Sequence, residues 1–464
     1  MERESFGSRL GFILLSAGCA IGIGNVWKFP YLAGSMGGGA FVLLYLIFLV
    51  VLGIPLMTME FAVGRASRKS GVNAFQQLQK PGQKWHINGV LGLAGCYIML
   101  MMYTVVGGWM LHYCWLFASG QLAGLDAAGI GGMFDSMLAS TPVQLFWAAV
   151  TVVFAFVACW LGLQNGVETI SKWLMLILLG LIVVLAGYAM TLDGAGAGLA
   201  FYLVPSMEKV NAAGGLASVA TAAMNQCFFS LSIGIGAMTI FGSYQDKKRA
   251  LGGEAIRIGL LDTFVAISAG LIIFPSCFTY GVQPDAGPRL VFLTLPNVFN
   301  AMPGGRVWGA LFFLFMAFAA LTTILAVFEN LVASCMELFG WQRQKSALIN
   351  LMIVAVSSLP CILGFSTWTG FTPFGPGTGV MDLEDFIVNN LLLPIGCLLY
   401  VLFCTHKKGW GFDNYLEETN TGAGFKIPRA VRLWLSYGIP VLILILLLSG
   451  LWDKTKAVMA MFAA

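Results

Sequence analysis

Gly18-Cys-Ala-Ile-Gly-Ile-Gly-Asn25 interrupts an apolar run that extends over 8–35. A glycine in a helix interior costs about 1 kcal/mol relative to alanine, so three in seven residues make this stretch easy to unwind. Unwinding frees carbonyls and amides that lipid cannot satisfy, so they must line a cavity. The half-helix ending near Gly18–Ile21 presents carbonyls and a negative dipole end, which suit Na+ or an ammonium group. The half-helix starting near Ile23–Asn25 presents amides and a positive end, which suit a carboxylate. Close packing is the competing reading, because Gly-x-x-x-Gly spacings mark contacts between membrane helices. The Gly-x-Gly pattern also resembles a dinucleotide fingerprint, but that needs a preceding strand and is rejected.

The rest of the chain has the same solvent. It is 464 residues long, 58% hydrophobic and 10% charged, against roughly 25% charged in soluble domains. So little polar surface excludes a soluble enzyme, and a net charge of +4 makes no case for nucleic acid. A spanning helix needs about 20 mostly apolar residues. Eleven runs qualify: 8–35, 38–64, 88–118, 144–162, 165–191, 215–242, 254–281, 307–338, 345–365, 386–404 and 430–452. Helices are the reading that pairs every backbone group within runs this long. Nineteen of the 25 Lys and Arg residues fall on one side of this arrangement, which places the N-terminus in the cytoplasm. Met1 to Arg9 has no cleavable-signal pattern. Most of the ten cysteines lie inside apolar runs, where Cys behaves as a small hydrophobe, and no disulfide is expected.

A second interruption, Ser230-Leu-Ser-Ile-Gly-Ile-Gly236, falls five helices after the first. Paired interruptions in two halves point to a transporter's midplane site. The expected organisation is a five-helix repeat over 8–191, an inverted repeat over 215–404 and an added helix at 430–452.

Ionisable residues inside apolar runs are functional candidates by default. Asp262 reads as a sodium ligand or a proton acceptor, with a solvated or hydrogen-bonded loop-end Asp as the bland alternative. Glu60 reads as a buttress that accepts amides from the broken helices. Thr322 and Thr323, with Ala319 a turn earlier, set hydroxyls and carbonyls on one face, although such hydroxyls often bond their own i−4 carbonyl. Lys28 and Asp385 flank the outer side, and Arg3 and Glu337 the inner. Each pair is either a gate or two separately solvated charges. Tyr103 and Phe229 are either caps on a pocket or ordinary packing residues.

The motifs together resemble the neurotransmitter:sodium symporter family, in particular its bacterial eleven-helix amino-acid carriers. The residues that carry the resemblance are Ser8-Arg-Leu-Gly-Phe-Ile-Leu14 through Gly22-Ile-Gly-Asn-Val-Trp-Lys-Phe-Pro30, Gly37-Gly-Gly-Ala-Phe41, Gly53-Ile-Pro55, Glu60 and Gly64-Arg65. It continues through Gln226–Gly236, Leu290-Val-Phe-Leu-Thr-Leu-Pro296, Ala319–Thr323 and Asp385-Phe386. The resemblance implies an all-α polytopic fold, the leucine-transporter fold, with helices 1 and 6 unwound. It implies two sodium ions. The first would meet Ala20, Asn25, Ser230 and Asp262, and the second Gly18, Ile21, Ala319, Thr322 and Thr323. It implies an amino acid bound beside Gly22, whose carboxylate meets the Ile23 and Gly24 amides and the Tyr103 hydroxyl, and whose amine faces Ala20, Phe229 and Ser232. The side-chain pocket would be Met99, Val106, Phe229, Ser232, Ile235, Thr323 and Val327. An outer gate would join Lys28 and Asp385 near Gln226, and an inner one Arg3, Tyr244 and Glu337.

Departures from the family pattern sharpen the expectation. Gly22 stands where monoamine carriers place Asp, so whole amino acids are expected, and the apolar pocket favours aliphatic or aromatic side chains. Asp262 replaces an Asn, and its fixed charge removes the need for chloride. Lys28 replaces the usual gate Arg, Phe6 the usual Trp, and Leu176 the Pro of a Gly-x9-Pro motif that begins at Gly166. The expected protein is a sodium symporter of hydrophobic amino acids in a bacterial cell membrane, a monomer or weak dimer. A proton-coupled carrier using Asp262 is the alternative, and a channel is disfavoured because the apolar runs hold no charge ring.

Overall fold

The computed structural model describes residues 4–282 and 289–463, with side chains through 452. Among the described residues, nine helices are long and apolar enough to cross a membrane. They are α2 (Gly39–Ser67), α3 (His86–Ser119), α4 (Thr141–Trp160), α5 (Leu163–Ala189), α7 (Leu251–Thr279), α8 (Gly305–Phe339), α9 (Arg343–Phe365), α10 (Val380–Thr405) and α11 (Arg429–Trp452). The other two expected spans are the interrupted ones. Helix α1 is a pair, α1a (Arg9–Ala20) and α1b (Gly24–Ser35), bent by 58°. Helix α6 is α6a (Leu216–Ser230) and α6b (Ala237–Tyr244). Among the described residues there is no β-strand beyond one isolated bridge, Arg249 to Ala423. All ten cysteines are free.

Burial separates the core from the rim. The most apolar stretch of α8 is 83% buried and that of α7 72%, whereas those of α9 and α11 are 28% buried. Hydrophobic side chains such as Val183, Met352 and Leu444 are exposed on the peripheral helices, as expected where lipid rather than water is the neighbour. The most buried spans are α3, α7 and α8; α6 packs chiefly against α2, and α1 against α5, α7 and α8.

Local chemistry explains both breaks. Ile21 leaves the helical region (φ −70°, ψ 91°) and ends α1a. In the second break Ser232, Gly234 and Gly236 have φ of +50°, +104° and +78°. A left-handed residue cannot continue a right-handed helix, and the cost at a non-glycine such as Ser232 is about 1–2 kcal/mol. The Glu60 carboxylate secures the strained loop by accepting the Gly234 amide, which is the buttress the sequence reading expects.

Candidate functional site

The two breaks meet α2, α7 and α8 in two polar clusters. In the first, the buried Asp262 carboxylate of α7 accepts three hydrogen bonds. Asn25 Nδ2 donates to Oδ1 at 2.6 Å, and Ser230 Oγ and Tyr45 Oη donate to Oδ2 at 2.9 Å each. Tyr45 and Ser230 also lie 2.9 Å apart. Asn25 Oδ1 is buried and has no hydrogen-bond partner. A buried carboxylate beside an unused amide oxygen calls for a cation. Three of the four residues expected at the first sodium site, Asn25, Ser230 and Asp262, are thus brought together. Ala20 is buried at the end of α1a.

The second cluster joins the first break to α8. Thr323 Oγ1 lies 3.1 Å from the Gly18 carbonyl, 3.3 Å from that of Ile21, 3.5 Å from that of Cys19 and 3.3 Å from that of Ala319. A hydroxyl has one proton and serves one of these oxygens at a time. Thr322 Oγ1 is 3.0 Å from the carbonyls of Phe318 and Ala319. Gly18 packs so tightly that a Cβ would stand 3.0 Å from Thr322 Cβ. All five residues expected at the second sodium site meet here, in an oxygen-rich, fully buried nest that suits a hard cation.

Between the clusters lies Gly22. A Cβ at this position would stand 3.0 Å from Thr323 Oγ1 and 3.4 Å from Tyr103 Oη, and one on Gly24 would strike the Phe229 ring at 2.2 Å. The backbone at Gly22–Gly24 is therefore held against Tyr103 and Phe229 without side chains in between. Above it a cavity of about 270 Å³ is lined by Ile23, Lys28, Tyr103, Val106, Phe229 and Asp385, together with Trp27, Tyr31 and Met381. Met99, Ser232, Thr323 and Val327 are buried and outside this lining. Ser232 Oγ donates to the Cys19 carbonyl at 3.1 Å, and the Phe229 carbonyl accepts the Ser232 amide. Ile235 packs against Gly92 and Gly95 of α3, and its carbonyl faces the Cys96 thiol.

The gates differ from expectation. Lys28 and Asp385 share the cavity wall but form no ion pair. Lys28 Nζ sits 4.3 Å from the centre of the Phe229 ring, and Asp385 accepts from Asn389 Nδ2 at 2.6 Å. A lysine has no planar fork to fix it on a carboxylate, and an aromatic face holds it as well. Gln226 donates to the Gly24 carbonyl at 3.2 Å. At the other end Arg3 lies outside the described residues. Glu337 accepts from the amide and hydroxyl of Ser70 and from Asn73. Tyr244 Oη donates to Glu329 Oε1 at 2.7 Å, and Glu329 is held by both terminal nitrogens of Arg343 at 2.8 and 2.9 Å. Arg343 also pairs with Glu4. Glu168 accepts the amides of Gly7 and Ser8 and the Ser8 hydroxyl.

Sequence reasoning missed Tyr45, Glu329 and Arg343. Glu329 sits in the apolar run 307–338 and is found by the same rule that selects Asp262. Tyr45 is one aromatic in a span full of them, so it carries no separate signal.

Known proteins share the sequence pattern and the fold. The model of the Sodium:neurotransmitter symporter family matches residues 3–124 and 136–463. A Bacillus subtilis protein described as an uncharacterized sodium-dependent transporter, YhdH, is 36% identical over 406 residues, 86% of this chain and 87% of its own. A Haemophilus influenzae protein described in the same terms is 31% identical over 97% of this chain and 99% of its own. The solved structure of MhsT in complex with L-phenylalanine superposes with a TM-score of 0.87 at 37% identity, covering 97% of this chain and all of that one. The chain belongs to the sodium:neurotransmitter symporter family, transporters and not enzymes.

Proposed function

We propose that this protein is a symporter that uses two sodium ions to carry hydrophobic L-amino acids into a bacterial cell by alternating access. The observation that carries the reading is Gly22. With 3.0 Å to Thr323 and 3.4 Å to Tyr103 from a would-be Cβ, there is no room for a carboxylate side chain. The backbone amides and the Tyr103 hydroxyl are left for a carboxylate that the substrate brings. Ile23, Val106 and Phe229 give the cavity an apolar lining, with Met99, Ile235 and Val327 buried outside that lining, and the relative MhsT was solved with L-phenylalanine.

Sodium at the Asp262 cluster would complete its shell with the substrate carboxylate, so that ion and amino acid bind with positive cooperativity, each raising the other's affinity by the same factor. Sodium at the Thr323 cluster would brace α1 against α8. Its loss would free α1a and open the cytoplasmic end, where Tyr244, Glu329, Arg343 and Glu337 hold the inner gate. Rocking of the halves 8–191 and 215–404 around the fixed site provides the alternation. The Asp262 charge takes the part of chloride. Asp262 as a proton site is less favoured, because its oxygens already accept three donors while Asn25 Oδ1 waits for a cation.

A scintillation-proximity screen of the twenty amino acids, with and without Na+, tests the assignment. Sodium-dependent binding of aliphatic or aromatic amino acids is expected. Binding restricted to charged amino acids or to amines without a carboxylate would overturn it.

A further inference from the structure

The N-terminal end of α3 and the C-terminal end of α10 enclose a second cavity, of about 420 Å³, away from both breaks. It is lined by Gln83, Lys84, Trp85, Ile87, Asn88, Leu399 and Lys408. The two loops are stitched together there: Lys80 Nζ donates to the Lys407 carbonyl at 2.8 Å and Trp85 Nε1 to the Lys408 carbonyl at 3.0 Å. Lys80, Lys84, Lys407 and Lys408 are exposed, and among the described residues none pairs with a carboxylate. The sequence explains why: it has no Asp or Glu between Glu60 and Asp126, nor between Asp385 and Asp413. Four lysines therefore converge with no acidic residue from either segment to balance them.

One wall is polar and unsatisfied. Asn88 is 2% exposed, and neither its side-chain nitrogen nor its oxygen has a hydrogen-bond partner. The lining is also partly apolar: Ile87 and Leu399 line the cavity, and Val90, one turn along α3, is exposed. A buried amide without partners is costly, and lysines at the end of a spanning helix attract anions at the membrane surface. Unpaired lysines and an unsatisfied amide beside apolar side chains at the end of a spanning helix match a lipid with an acidic headgroup better than a free anion. We propose that this cavity binds an anionic phospholipid, its phosphate between Lys84, Lys408 and Asn88 and its acyl chains along Ile87, Val90 and Leu399. Bound there, the lipid would tie α3, which carries Tyr103, to α10, which carries Asp385.

Native mass spectrometry of the full-length protein in detergent tests this, with phosphatidylglycerol and phosphatidylcholine of identical chains at equal concentration. Phosphatidylglycerol adducts should dominate. K84Q/K408Q should bind it roughly 30-fold more weakly, each single variant about fivefold, from about 1 kcal/mol per lysine. K84R/K408R and a control on another basic loop, K247Q/K248Q, should keep wild-type adducts. Thermal unfolding checks that each variant is folded, and the single variants carry the test if the double one is not. Equal adducts of the two lipids, or undiminished phosphatidylglycerol binding in folded K84Q and K408Q, would overturn the proposal. So would glycerophosphoglycerol, the headgroup without chains, binding as tightly as the lipid.

Discussion

The two polar clusters on either side of the first break are built from different materials. The α7 side is made of side chains and holds a formal charge, Asp262, fixed by Asn25, Ser230 and Tyr45. The α8 side is mostly backbone: carbonyls of Gly18, Ile21 and Ala319 converge on one Thr323 hydroxyl. A fixed buried charge cannot be left unmatched, and breaking such a pair typically costs about 3–5 kcal/mol. Neutral carbonyls tolerate the loss of an ion far better. The charged cluster is therefore suited to strict coupling, and the neutral one to an ion that must come and go.

This contrast orders the expected effects of substitution. Asp262→Ala should be the most damaging, lowering Na+-stimulated amino-acid binding by a factor of at least about 100, the equivalent of about 3 kcal/mol. Equilibrium binding over a sodium titration reads this, and a normal titration would remove Asp262 from the site. Thr323→Val deletes one neutral ligand, and the half-saturating Na+ concentration should rise roughly tenfold for about 1.4 kcal/mol. Thr323→Ser should restore it, and failure of the serine to rescue would mean that packing against α1, not the hydroxyl, matters. Tyr45→Phe removes one of three donors to Asp262, and a loss of about 1 kcal/mol predicts a fivefold weaker sodium response. No change would leave Tyr45 a packing residue against Phe29. The smallest effect is none at all: on the proposal that Asp262 supplies the charge, replacing chloride by gluconate should leave uptake unchanged. A several-fold fall would contradict that role.

Much of this was readable in the sequence because lipid makes the rules strict. Apolar runs long enough to span had to be helices, and their limits agree with the structure to within a few residues for most of the eleven. Glycines concentrated at mid-depth pointed to unwound backbone ahead of close packing, and Asp262 in an apolar run pointed to a cation or proton partner ahead of a solvated loop end. What could not be read was the choice among partners. Lys28 rests on the Phe229 ring rather than on Asp385, a decision between two contacts of similar worth that depends on how α1b and α6a meet. Likewise Tyr244 finds Glu329, and Glu329 finds Arg343 across the α8–α9 turn. These contacts follow from tertiary geometry, and a single sequence holds no separate trace of it.

The central claim is that sodium, bound beside Asp262, drives accumulation of a hydrophobic amino acid. Its most direct test is uptake of labelled leucine or phenylalanine into proteoliposomes under an imposed gradient of one ion at a time. An inward Na+ gradient alone should drive uptake above equilibrium, and an inward proton gradient in sodium-free buffer should not. Accumulation driven by protons without sodium would contradict the account and make Asp262 a proton carrier.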